Sequence, residues 1–454
     1  VFAVGTIDFG SAAFLFAIDR RNGKVEWQAE VDLPVDSGYA TPAIAEREST
    51  VIVATGSTVR AFDLSTGSPR WCCPLGVDLT NSSPVVTQDI WGANRVFIAD
   101  ADPFGVSGKL YCINISSKLP PRNPYEPGEL VWAVGIDGTS GNSPAYSRGR
   151  VYISGVGDYF AFPPVPAPIL CFDARATCEP EPLWTYTNTV DPDARFFGGL
   201  SVSGSAVYAA SYDFVGVSGT FNNSNLVKLD AATGALIWSI ACNRTNAIPV
   251  VLPPKPGRTF PRLLLSAGLR EFSGTIAALQ LYEDRGASAA RVWDSAVDTW
   301  TDLDHDGRRD PGEYFDAGAW TVQPAVSRGL GPLTAFVGTI PFGGNNSTFP
   351  ACIRLSAINL DALPASSGFI RQQFQGAGSS PALADANVYT IGSSGLFAFG
   401  PPPYQYDVDS DGLVSMEDLI AWEQGTGRLD VNLDGKVTAV DRNELILEVR
   451  REEW

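Results

Sequence analysis

The chain has 454 residues, 50 of them acidic and 32 basic, for a formal net charge of −18. Such a surface repels a phosphate backbone and an anionic bilayer, which excludes nucleic-acid binding, and no apolar run approaches the roughly 18 residues of a spanning helix, so no membrane insertion is expected. Apolar residues at 44% suffice for a core, while 45 Gly and 33 Pro without a short period exclude collagen and favour a turn-dense β protein.

The opening residues VFAVGTIDFG read as a strand, so a mature or trimmed chain is expected. From there a three-part unit repeats: a short Ser-Pro-Ala-like strand, a strand like VYISG, and a strand like VRAFD followed by a turn and a tryptophan. The third part runs Phe14 to Trp27, Val59 to Trp71, Leu110 to Asn114 with Trp132, Ile169 to Asp173 with Trp184, Leu226 to Trp238 and Leu279 to Trp293. A tryptophan-free copy spans Ser356 to Ile370, and a truncated one Gly395 to Gly400. Middle strands beginning at Val1, Val51, Val96, Val151, Val207, Arg262, Leu333 and Val388 give the same eight units. Opening strands lie at Thr41, Ser83, Ser143, Ser201, Ile248, Gln323 and Ser380; the first unit has none, and the last lacks its outermost strand.

The strands are short, β-branched or aromatic, and carry no helical periodicity. In the recurring Asp-x-x-Thr-Gly turn, Asp63 or Asp230 can cap backbone N–H groups while Gly67 or Gly234 takes a positive φ. The tryptophan offers a flat apolar face to a neighbouring sheet. Four-stranded sheets set radially protect their edges, so an all-β, eight-bladed β-propeller of four-stranded antiparallel blades is predicted over residues 1–400. The Ala-x-Asp-x-x-Thr-Gly-x-x-x-Trp repeats resemble the tryptophan-docking motifs of the pyrroloquinoline-quinone-type propeller superfamily. That superfamily includes quinoprotein dehydrogenases and non-catalytic assembly or scaffold proteins. The two incomplete terminal units imply either three-stranded blades or a strand supplied by the tail or by another molecule.

Inside unit six, DLDHDGRRDPGE matches a twelve-residue calcium loop, with candidate ligands Asp302, Asp304, Asp306, the Arg308 carbonyl, Asp310 and Glu313 and the turn glycine Gly307. It would stiffen a long insertion. Beyond Pro401 to Pro403, a rigid linker, residues 401–454 carry two more such loops, giving a small α-helical tandem calcium-loop module. The first offers Asp407, Asp409, Asp411, the Leu413 carbonyl, Ser415 and Asp418, and the second Asp430, Asn432, Asp434, the Lys436 carbonyl, Thr438 and Asp441. Helical segments follow each loop, with Leu419, Ile420 and Trp422 expected to face Leu445, Ile446 and Leu447. About three Ca2+ ions are thus expected, and ion binding should contribute folding free energy. Asp at position 12 and the duplicated layout resemble the dockerin family, whose members plug into cohesin partners.

Catalytic signals are few. The sole histidine, His305, sits at a non-ligating loop position, which removes a histidine metal centre and a Ser-His-Asp triad. Adjacent cysteines Cys72 and Cys73 resemble the vicinal pair of quinoprotein alcohol dehydrogenases, but they fall on what should be an outer strand. Cys171 and Cys178 are close enough to close a short loop, and sequons stand at Asn81, Asn114, Asn222, Asn243, Asn345 and Asn346. The sequence therefore points to a non-catalytic, secreted or cell-surface, calcium-binding structural or adhesive subunit of an assembly that could be polymeric. Its partner would be a protein or a second copy, joined through the C-terminal module or the incomplete blades, with glycans as a further class. The alternatives are a quinone-dependent dehydrogenase and a dockerin-anchored carbohydrate-binding subunit.

Overall fold

A computed structural model describes the chain apart from residues 8–11, 21–22, 34–39, 80, 103–107, 159–164, 192–193, 214–223, 253, 256–258, 269–276, 311, 320, 328–331, 340–353, 376–379, 385–386, 393–394, 400–405, 410–413, 428, 432–434 and 453–454. It is an eight-bladed β-propeller with a small helical unit at its C-terminal end. Six blades are four-stranded antiparallel sheets, and blades one and eight have three strands each, as the incomplete terminal units predict. Blade one consists of Phe2–Ile7, Ala12–Ile18 and Val25–Val31, and blade eight of Ala382–Ala384, Asn387–Gly392 and Gly395–Phe399.

The core lies between blades. Leu15, Val51 and Phe62 pack blade one on blade two, Phe97, Trp132 and Phe172 join blades three and four, and Trp293, Leu281 and Val337 join six and seven. Each contribution follows from strand alternation, which sends every second side chain to the same neighbour.

The tryptophan of one blade docks on the turn of the next. Gly67 and Gly234 have φ of 69° and 73°, and a Cβ at either would lie 2.5 Å from the ring of Trp27 or Trp184, so only glycine leaves room for the indole. Each indole N–H then donates across the seam: Trp27 to the Leu64 carbonyl, Trp132 to Ala176, Trp184 to Ala231 and Trp293 to Ala365, at 2.9–3.3 Å. The turn is held by the aspartate as predicted, with Asp63 accepting from the N–H groups of Ser65 and Thr66, and Asp230 from those of Ala232 and Thr233.

A second set of latches lines the inner ring. At four junctions the residue before a proline donates its N–H to its counterpart in the next blade. Thr41 N–H donates to Ser83 Oγ and Ser83 N–H to Ser143 Oγ, both at 3.0 Å, and Ile248 N–H donates to Gln323 Oε1 and Gln323 N–H to Ser380 Oγ. Proline keeps the residue before it extended, which aims its N–H sideways at the neighbouring blade.

The C-terminal unit has its own core of Val408, Ala421, Val431, Leu445 and Val449, with Leu419 and Trp422 packed against it. Two expected members are corrected: Ile420 and Leu447 are exposed. The core is completed instead by the two loop valines, Val408 and Val431, both fully buried.

Candidate metal loops and central channel

All three acidic loops share one hydrogen-bond scheme. The position-12 carboxylate accepts from the N–H at position 2: Glu313 from Leu303, Asp418 from Val408 and Asp441 from Val431. It also accepts from the N–H at position 9, that of Asp310, Ser415 or Thr438. In two loops the position-6 glycine N–H donates to the first aspartate, Gly307 to Asp302 at 3.1 Å and Gly435 to Asp430 at 2.9 Å. In the loop at 302–313 the side chains at positions 1, 3 and 5 converge, as an oxygen cage for a hard cation requires.

Carboxylate oxygens of Asp302, Asp304 and Asp306 lie within 4.8 Å of one another, as do those of Asp407, Asp409 and Asp418. These two clusters could hold a metal ion. One oxygen of Asp302, Oδ1, is buried without a hydrogen-bond donor, a costly state for a carboxylate unless a cation faces it. Glu313 and Asp310 are not part of the tight cluster; Glu313 is instead occupied by the N–H groups of Asp310 and Leu303, which hold its carboxyl below the ordinary value. Burial pushes the Asp418 carboxyl up against the pull of the backbone N–H groups of Ser415, Asp409 and Val408. His305 adopts φ 65° beside Gly307 at 77°, the sharp turn expected at the middle of such a loop. Asp411, Leu413, Asn432 and Asp434 lie outside the described residues, while Asp430 and Asp441 flank the second C-terminal loop.

The blades surround a central cavity of 820 Å³. Phe2, Phe197, Tyr212 and Tyr389 line it together with Asn81, Asn142, Asn246, Thr321, Gln323 and Ser380; none of the described lining residues has a charged side chain. Pyrroloquinoline quinone is a tricarboxylate, so this lining does not fit it: a buried anion without a cationic side chain is strongly disfavoured.

Cys72 and Cys73 lie on Pro69–Pro74, the outermost strand of blade two, as expected, and both are free thiols. Burial pushes the Cys73 thiol up to about 11, so it is a poor nucleophile. The suggested Cys171–Cys178 loop closure is corrected: Cys171 is buried in strand Pro168–Asp173, Cys178 is exposed, and both are free. Asn114 is also removed as a glycan acceptor in the folded chain, being fully buried with its amide donating to the carbonyls of Ser116 and Tyr125. Asn81 lines the cavity, and Asn222, Asn345 and Asn346 lie outside the described residues.

A family model described as outer membrane protein assembly factor BamB matches residues 4–118. No curated protein sequence matches the chain. BamB from Moraxella catarrhalis is similar in structure, at 13% identity over 87% of this chain and 92% of that one, with a TM-score of 0.50. A europium-containing methanol dehydrogenase is similar at 13% identity over 87% and 80%, with a TM-score of 0.53. The fold is the quinoprotein-type eight-bladed propeller. At this identity the likeness is one of architecture, which is shared by an assembly factor and by dehydrogenases alike, so the site and not the fold must decide function.

The sequence singled out the acidic residues because their spacing is short-range and fixed. It missed the inner-ring latches and the loop valines, whose partners lie in another blade or another helix; the recurrence of Thr, Ser or Gln before proline was the available signal.

Proposed function

We propose that this chain is a non-catalytic, calcium-stabilised propeller that serves as a structural or adhesive subunit of an extracellular or cell-surface assembly. The observation that carries this reading is the scheme common to the three acidic loops, in which a buried position-12 carboxylate ties positions 2 and 9, together with the close carboxylates of Asp302, Asp304 and Asp306 and of Asp407, Asp409 and Asp418. Calcium is favoured over magnesium because each twelve-residue loop offers about six oxygen ligands from the protein itself, whereas magnesium keeps several of its waters and takes only one or two carboxylates. The proposed ligands are those of residues 302–313, 407–418 and 430–441, one ion to each loop.

Residues 1–400 form the rigid disc in this reading, and 401–454 the attachment unit. Support for attachment comes from the exposed apolar side chains of Met416, Ile420, Val437, Val440 and Leu447 on so small a unit, the kind of surface that marks a protein interface. A dockerin-like contact with a protein partner accounts for them. The described lining of the channel, which offers no charged side chain, weighs against the quinone-dependent dehydrogenase.

Sedimentation velocity of the full chain in millimolar calcium and in EDTA tests the assembly role. A larger species is expected in calcium that returns to a single chain in EDTA. One chain under both conditions would remove self-assembly and leave only a foreign partner.

A further inference from the structure

The repeat tryptophans, Trp27, Trp71, Trp132, Trp184, Trp238 and Trp293, sit on outer strands, and Trp91 is not one of them. It lies in the turn between strands Val85–Val86 and Arg95–Ala99 of blade three, and at 78% exposure it is the most open large apolar side chain among the described residues. The turn is firmly built. Ile90 and Ala93 are buried in the core between blades three and four, the Ala93 N–H donates to the Ile90 carbonyl at 3.0 Å, and Gly92 takes φ 69°. With Ile90 anchored inside, its neighbour stays outside, an unusual place for an indole.

Leu119, itself exposed, lies beside this turn, 3.9 Å from a Cβ placed on Gly92. Two backbone hydrogen bonds with Asn123, at 2.7 and 3.0 Å, fix its position. Every turn at this end of blades two to five is among the described residues, and none of them covers the indole.

Polar groups gather at the same place. Asp89, two residues from Trp91, accepts from the Tyr146 hydroxyl of blade four, which in turn accepts from the Gly149 N–H at 3.0 Å. Arg148 and Gly149 have φ of 50° and 80°, and a left-handed arginine is uncommon. The Arg175 guanidinium lies over Gly149, where a Cβ would run into it. Its turn is held from blade three, by the Tyr125 hydroxyl on the Thr177 carbonyl and the Trp132 indole on the Ala176 carbonyl. Arg148 and Arg175 are exposed, and neither has an ion pair among the described residues. On a chain of net charge −18 they make a local positive site.

A ligand for this surface must bring an apolar face for Trp91, donors for Asp89 and an anion for the arginines. An acidic peptide brings the anion, but its side chains meet Asp89 with like charge. A carboxylated sugar supplies all three: the C–H bonds of one ring face lie on the indole, hydroxyls donate to Asp89, and the carboxylate takes a guanidinium fork. We propose that Trp91, Leu119, Asp89, Arg148 and Arg175 form a binding site for a uronate-bearing saccharide. The inference goes beyond the assembly reading and does not rest on the acidic loops.

Calorimetric titration of the full chain with hexagalacturonate, in EDTA so that no calcium bridges the sugar, tests it. Saturable binding is expected, weakened about tenfold or more by Trp91→Ala, by Arg175→Gln and by methyl esterification of the saccharide. Arg148→Asn, which tolerates the left-handed turn, should weaken it in the same direction. Unchanged melting of each variant checks the fold. No saturable binding at millimolar saccharide, equal binding by the Trp91 variant, or a glutamate hexapeptide that binds as tightly would overturn the proposal. Hydroxyl-radical footprinting of the free chain reads whether this chain covers its own site: Trp91 should oxidise far faster than buried Trp293, and equal rates would also overturn it.

Discussion

Replacing Asp284 by alanine should lower the unfolding free energy by about 3–5 kcal/mol, because it strands a buried cation. Asp284 is 3% exposed at the junction of blades five and six. Its carboxylate accepts from Lys228 Nζ at 2.8 Å, Tyr208 hydroxyl at 2.7 Å, Trp238 Nε1 at 3.1 Å and the Gly286 N–H at 3.0 Å. Truncation leaves the Lys228 ammonium, itself largely covered, without its counter-ion and removes the docking contact of Trp238. Asp284→Asn keeps the volume but not the charge, and should cost less. Urea unfolding followed by tryptophan fluorescence measures both.

The same group sets a pH dependence. Burial pushes the Asp284 carboxyl up, but the hydrogen bonds from Lys228, Tyr208 and Trp238 outweigh it and hold it below the ordinary value of an aspartate. A depressed value in the folded state means the contribution is fully present above the unfolded value and is lost as pH falls through the folded one. The stability gap between wild type and Asp284→Asn should therefore narrow on acidification below about pH 4 and stay constant above it.

Asp418→Ala should unfold the C-terminal unit while sparing the propeller. Asp418 is fully buried, receives N–H groups from Val408, Asp409 and Ser415, and completes the capping box that starts helix Met416–Glu423. Each buried donor left without an acceptor costs about 1–3 kcal/mol, and a unit with so small a core has only a few kcal/mol in total. The expected result is loss of the helical band at 222 nm and fast hydrogen exchange across 406–452, with blade amides unchanged. A unit that keeps its protection after this substitution would show that the loop does not organise the helices.

The propeller was legible because its signals recur and are local. Asp63 and Gly67 sit four residues apart, a tryptophan follows Gly23, Gly67 and Gly234 at the same distance of four, and the less regular copies reinforce these. The missing outer strand of blade eight could likewise be counted from the sequence. Features that join distant residues were not readable. Ser83 and Ser143 look like strand starts until their hydroxyls are seen to accept from the neighbouring blade. Cys171 and Cys178 are close in sequence, but strand Pro168–Asp173 turns the first into the core while the second lies beyond the following turn. Leu419 and Leu445 were found by helical spacing, whereas Val408 and Val431, each beside a first ligand, are core residues that no helical period reveals. Asn114 carries a sequon in a position where its amide is needed internally, a conflict visible only once burial is known.

Each bound ion should add about 2.7 kcal/mol of stability at a hundredfold excess over its dissociation constant. The most direct test of the calcium account is a count of ions by native mass spectrometry on the full chain, first stripped with EDTA and then titrated with calcium. One ion for each of the three acidic loops is the expected result, with Asp302→Asn and Asp418→Asn each removing one. A stripped chain that takes up no calcium at millimolar concentration, and melts at the same temperature with or without it, would contradict the account.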